Sequence, residues 1–204
     1  MSRKNLPFKE IHPSSASLKQ VDFKAGHLLH GKGFLCFGDL PRITEEIQKR
    51  FQEFDPMTHS IDWELDSWID EVPGGEPQYR IGLKIQLSYP LECQRCLQNY
   101  EEHLQIASQF ILKNTIEEVE SFPIDNDDED ALLNSHQFDL IELLEDEILL
   151  NIPLIPKHPL ALCEAQYIYV PNVTDAEKHS GEVLEESKTA KNPFSSLKNL
   201  KFDA

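Results

Sequence analysis

Tyr79-Arg80-Ile81-Gly82-Leu83-Lys84-Ile85-Gln86-Leu87 is the stretch that decides the fold class. Tyr79, Ile81, Leu83, Ile85 and Leu87 recur at every second position, with Arg80, Lys84 and Gln86 among the residues between them. Successive side chains of a strand point to opposite faces, so this spacing predicts a strand with one face in a core and one in water. Upstream, Ile61, Trp63, Leu65 and Ser67 alternate with Asp62, Glu64 and Asp66, which predicts a second strand with an acidic outer face. Pro73-Gly74-Gly75-Glu76-Pro77 between the two has turn composition. Arg80 and Lys84 can then face Asp62, Glu64 and Asp66 across the pair, each contact contributing about 0.2–1 kcal/mol. Downstream, residues 103–112 supply a third strand. Three antiparallel strands with short connections make a meander, the smallest self-supporting sheet.

Helices flank these strands. Before them, Asp39 can cap a helix with Pro41 in its first turn, and Ile43, Ile47, Phe51 and Phe54 mark its apolar face. After them, Asp139 caps a second helix. Leu140, Ile141, Leu143, Leu144, Ile148 and Leu149 are its apolar side, and Glu142, Glu145, Asp146 and Glu147 are read as wet. Pro153, Pro156 and Pro159 keep the following stretch extended. Residues 26–38 hold four glycines among apolar residues and fit a strand or hairpin. The carboxylates of residues 117–130 repel one another, which predicts a mobile acidic loop. The expected fold class is therefore α+β: an antiparallel meander packed by two or three helices, with a disordered acidic loop and a flexible C-terminal tail. The expected organisation is a weakly ordered lead-in over 1–17, one domain over 18–170, a disordered linker over 171–191 and a short segment over 192–204. Phe194, Leu197 and Leu200 share a helical face in that last segment, which reads as a docking helix or as a frayed tail.

Composition narrows the function classes. A hydrophobic fraction of 40% in 204 residues is enough for a core, while 27% charged residues and 13 prolines leave part of the chain unpacked. No apolar run reaches the roughly 18–20 residues of a membrane helix, and no apolar stretch follows the basic start, so the expected address is the cytoplasm. A net charge of −17 disfavours coating of nucleic acid by bulk electrostatics. Direct RNA contact would fall to Arg80, Lys84 and Arg95 or to Lys188, Lys191, Lys198 and Lys201; otherwise a basic ribosomal protein mediates it.

In a reducing compartment the four cysteines read as buried apolar residues, metal ligands or redox groups. Cys93-Gln94-Arg95-Cys96 stands at a strand end and can present two thiolates to one ion. Zinc takes four ligands, and His158 with Cys163, after the proline-rich exit, are the best second half. Cys36, between Leu35 and Phe37, reads as a core residue. A thiol redox role competes, although a redox pair of this spacing ordinarily stands between a strand and a helix, and here strands lie on both sides. Glu145-Asp146-Glu147 is a candidate contact surface. The sequence has no phosphate-cradling glycine loop, no Gly-x-Ser-x-Gly elbow and no His-Glu-x-x-His helix. An enzyme with a small-molecule substrate is not expected.

Three segments in order resemble the bacterial YceD family, described as large ribosomal RNA subunit accumulation proteins. They are Leu91-Glu92-Cys93-Gln94-Arg95-Cys96, then Glu145-Asp146-Glu147-Ile148-Leu149-Leu150-Asn151-Ile152-Pro153 running on to His158 and Cys163, then Asn192-Pro193-Phe194-Ser195-Ser196-Leu197. The resemblance implies a non-catalytic role in synthesis, processing or stability of large-subunit ribosomal RNA. It implies as partner that RNA or a pre-ribosomal particle, met directly or through a basic ribosomal protein. The pattern covers Cys93, Cys96, the Glu145-Asp146-Glu147 helix, Pro153, His158, Cys163 and Asn192-Pro193-Phe194. Relatives in other bacterial groups carry further cysteines after the proline-rich exit, where this chain has Cys163 alone. Two alternatives stay open: a zinc-stabilised module that binds a basic ribosomal protein, and a thiol redox protein.

Overall fold

In the computed structural model, residues 6–123, 129–159 and 162–163 are described, and statements below concern these. The elements in chain order are β1 (Phe8–Glu10), α1 (Ser15–Leu18), β2 (Leu28–Cys36), α2 (Pro41–Gln48), β3 (Ser60–Asp70), β4 (Gln78–Glu92), β5 (Asn99–Lys113), α3 (Ile116–Glu120), β6 (Asp130–Leu133) and α4 (Leu140–Asn151). The expected linker and C-terminal segment, with Asn192, Pro193, Phe194 and Leu197, lie outside the described residues.

The six strands form one sheet whose spatial order is the chain order. From β2 to β5 every pair is antiparallel, so the expected meander is its centre. β1 joins β2, and β6 joins β5, in parallel, which makes the sheet mixed. These edge strands are too short to show a period in the sequence. Ile61, Leu65, Ile81, Leu83 and Ile85 are fully buried on one face. Against them pack Leu140, Leu144 and Ile148 of α4 and Ile43 of α2, in one apolar cluster. Asp139 caps α4 as expected, accepting from the Glu142 N–H at 3.1 Å.

Three expectations change. The lead-in is ordered from β1 onward: Ile11 N–H donates to His30 O at 2.8 Å, and Ser14 caps α1. Its path explains two glycines of β2, which is one strand rather than a hairpin. A Cβ on Gly31 would lie 2.7 Å from Ile11 Cβ, and one on Gly33 would lie 2.6 Å from Pro13 Cβ. Second, α2 starts one residue later than an Asp39 cap would allow and stops at Gln48, so Phe51 and Phe54 lie beyond it. Asp39 turns away because its carboxylate accepts from Ser15 Oγ at 2.7 Å and from Cys36 N–H. Third, part of the acidic block is ordered. Thr115 and Glu118 form a capping box on α3, and the block ends in β6.

Candidate metal centre

β4 and β5 are the longest strands, and their paired residues run from Tyr79 opposite Leu112 to Glu92 opposite Asn99. The turn of this hairpin, residues 93–98, carries both cysteines of the Cys-x-x-Cys. Cys93 N–H donates to Gln98 O at 2.9 Å and Leu97 N–H to Cys93 O at 2.8 Å, which folds the turn back on itself. Leu97 closes it at φ 61°, the left-handed region that glycine normally occupies. A side chain there costs about 1–2 kcal/mol.

The second half comes from the α4 exit. Ile152, before Pro153, takes an extended conformation (φ −63°, ψ 127°) that stops the helix. Pro156 O then accepts from Gln94 N–H at 2.9 Å, which fastens the exit strap to the hairpin turn. The strap thereby brings in His158 and Cys163. One ligand atom from each of Cys93, Cys96, His158 and Cys163 lies within 4.8 Å of every other. Cys96 Sγ is 3.1 Å from His158 Nε2. Cys93, His158 and Cys163 are buried and Cys96 is half-buried. His158 Nδ1 is 3.3 Å from Pro159 O, so a proton on Nδ1 leaves Nε2 with a free lone pair towards the thiols. The Tyr100 ring meets the imidazole edge-on at 5.3 Å. The four sequence-derived candidates thus form one cluster that can hold a metal ion.

The electrostatics of the thiols differ. Burial raises the Cys93 thiol, but the N–H groups of Arg95, Cys96 and His158 outweigh it and hold Cys93 below the ordinary thiol range. The Cys96 thiol is pushed up by burial and by the neighbouring sulfurs of Cys163 and Cys93, against the Gln98 N–H. Thiolate is the metal-binding form of cysteine. Cys36 stands apart, half-buried rather than in the core, 3.2 Å from Asp39 Oδ2 and 3.6 Å from Met57 Sδ.

The acidic triplet of α4 is not the wet face that its composition suggests. Glu145 and Glu147 are only 4% and 8% exposed. Glu145 Oε1 accepts from the N–H groups of Arg42 at 2.5 Å and Ile43 at 3.0 Å, so it caps α2, and its Oε2 is 2.8 Å from Arg42 Nε. Glu147 accepts from Ser108 Oγ at 2.5 Å. Asp146 is half-exposed and pairs with Arg42 Nη2 at 2.7 Å. The signal was present in the sequence: Glu145 lies on the stripe of Ile141 and Ile148, at helical spacing. Two of the cations proposed for RNA are also engaged. Arg80 pairs with Asp70 at 2.7 Å and with Glu129, and Lys84 with Glu64 at 3.3 Å.

Residues 81–201, which hold the hairpin, the strap and all four cluster residues, match the family described as Large ribosomal RNA subunit accumulation protein YceD. The chain belongs to the YceD family. A curated YceD relative from Haemophilus influenzae, named Large ribosomal RNA subunit accumulation protein YceD, is 32% identical over 119 residues. That alignment takes in 58% of this chain and 63% of the relative, so the chain spans less than two thirds of that protein's length. No solved structure matches. β1 to β3 lie ahead of the YceD match, so the Cys93–Cys96–His158–Cys163 cluster and the family likeness share the second half of the sheet.

Proposed function

We propose that the chain is a non-catalytic accessory factor for the accumulation of large-subunit ribosomal RNA, working in the cytoplasm on a pre-ribosomal particle. The observation that carries this reading is the YceD match over the segment that builds the cluster. The family's name supplies the process. The architecture supports an accessory role, because the cluster joins a hairpin turn to a helix exit and brings four protein ligands to one point. Structural zinc sites are closed in this way, whereas catalytic ones keep a position for water or substrate. Among the described residues no helix is long and apolar enough to cross a membrane. Deleting the gene and measuring the ratio of large- to small-subunit ribosomal RNA tests the role; a fall is expected, and an unchanged ratio overturns it.

Zinc fits the donor set. Three sulfurs and one imidazole nitrogen suit a borderline-soft ion. With Zn–S of about 2.3 Å and Zn–N of about 2.0 Å, tetrahedral edges are about 3.5–3.8 Å. With every pair within 4.8 Å, the sulfur–sulfur edges need to contract by at most about 1 Å, and the Cys96–His158 edge, 3.1 Å long, needs to open by about 0.4 Å. Cys93, Cys96, Cys163 and His158 Nε2 would hold the ion and so pin the strap to the hairpin. Elemental analysis of purified protein is expected to give one zinc per chain; less than stoichiometric metal rejects it.

A second reading has its own support: contact with ribosomal RNA runs through a basic ribosomal protein. Arg80 and Lys84 are already paired with carboxylates, and the chain carries a net charge of −17. A pull-down with nuclease treatment tests this. Partners that survive the nuclease support protein contact, and partners lost with it support RNA bridging.

A further inference from the structure

β5 is 15 residues long, but β6 pairs only with residues 110–113 at its end. Among the described residues nothing pairs with residues 99–109 on that side, and β4 is their one neighbouring strand. The bonds that are present fix where the free main-chain groups point. Lys113 O accepts from Asn134 N–H on the β6 side, and Gln98 O accepts from Cys93 N–H on the β4 side. Main-chain groups alternate between the two sides along an antiparallel strand. The N–H and C=O of Glu101, His103, Gln105, Ala107 and Gln109 therefore point out along the open edge, and all five residues are exposed.

Sheet edges of this length are ordinarily blunted by lysine, proline or a bulge. Residues 99–109 hold no Lys, Arg or Pro, and their register with β4 runs without a slip from Tyr100 opposite Leu91 to Gln109 opposite Gly82. An open row of alternating donors and acceptors is completed by one more strand. Side chains define that strand. Leu104 is half-buried against the core beside the edge, so the position opposite it suits an aliphatic residue. Glu101 and Glu102 stand on the edge with no cation in the segment, and exposed Asp130 begins β6 at its other end. Opposite charges across a strand pair stabilise it, and like charges directly opposite destabilise it. A nucleic acid would bring phosphates to these carboxylates, and a second copy would bring another body of net charge −17. A basic strand satisfies the main chain, Leu104 and the charge together.

We propose that the free edge of β5 takes up an extended basic segment of a protein partner as a further strand, with cations opposite Glu101 and Glu102 and an aliphatic side chain opposite Leu104. This deepens the reading in which a basic protein mediates contact with ribosomal RNA, and rests on it. The test is fluorescence anisotropy of the full chain with two short synthetic peptides of one aliphatic pattern, carrying Lys in one where the other has Glu. The Lys peptide is expected to bind at least about tenfold more tightly. N-methylation of that peptide at the positions facing β5 removes its main-chain donors and is expected to abolish binding. Gln105→Pro, which removes an outward N–H, is expected to do the same with the fold retained. Glu101→Lys with Glu102→Lys is expected to reverse the preference, and carries the test should Gln105→Pro unfold. Equal affinity for both peptides, binding of neither, or undiminished binding after N-methylation overturns the proposal. So does tighter binding of a labelled oligouridylate, or a dimer of the full chain that Gln105→Pro makes monomeric. In the nuclease-treated pull-down, surviving partners held equally by the Glu101→Lys, Glu102→Lys protein overturn strand addition alone, whereas partners lost with the nuclease overturn the protein-mediated reading.

Discussion

Glu145 shows how one side chain can join two helices. Its carboxylate satisfies two N–H groups at the start of α2, a helix with no side-chain cap of its own. Glu145→Ala would leave those donors buried without a partner and is expected to destabilise the fold by about 2–3 kcal/mol in urea unfolding. Glu145→Gln keeps one acceptor oxygen and should lose less. Glu147 behaves oppositely. Burial, with Asp130 and Asp146 adding, raises its carboxyl above the ordinary range, against the Ser108 hydroxyl. At pH values between the unfolded and the folded pKa the folded form binds the proton more than the unfolded chain does, so this residue's contribution to stability is full below the unfolded pKa and is lost as pH rises through the folded one. Glu147→Gln is expected to flatten that part of the curve of melting temperature against pH; an unaltered curve would show that Glu147 is not its source. Neither role was legible from residue type, because a run of three acids on a helix reads as a solvated face. Only position along the stripe distinguishes the buried members.

At the scale of elements, legibility followed periodicity. β3, β4, β5 and α4 are long enough for their spacing to show, and they stand where the alternation places them. β1 and β6 have three and four residues, too few for a period; β1 pairs with a strand some 20 residues on, and β6 begins at the end of the acidic block. The glycines of β2 were visible, but their cause is tertiary: Ile11 and Pro13 pass directly over them. Gly31→Ala or Gly33→Ala should therefore destabilise by about 1–3 kcal/mol through overpacking. Either should also speed amide exchange at Ile11, whose N–H bonds to the same strand. Exchange no faster than wild type would place the strain elsewhere. The cluster was legible for a different reason. Cysteine and histidine are few, so chemistry could match the two halves before geometry did; the sequence also placed the Cys-x-x-Cys between two strands, without showing that those strands pair along their whole length up to it.

For the molecule as a whole, a bound ion would link stability to metal concentration. A ligand at a thousandfold excess over its dissociation constant stabilises the folded state by about 4 kcal/mol. Removing zinc with a strong chelator is expected to lower the melting temperature of the wild type and to leave Cys163→Ala unmoved. An equal response in both proteins would argue against the site. The sheet has one more consequence. Because its spatial order repeats its chain order, each strand from β2 to β5 meets its neighbour as soon as it is synthesised, and no strand waits for a later one to be inserted beside it. The hairpin tip with Cys93 and Cys96 thus exists before the ribosome has made His158 and Cys163. A nascent chain stalled ahead of those residues should hold zinc loosely and exchange it, while one stalled well beyond them should retain it, so that metal retention would time the arrival of His158 and Cys163 at the hairpin tip.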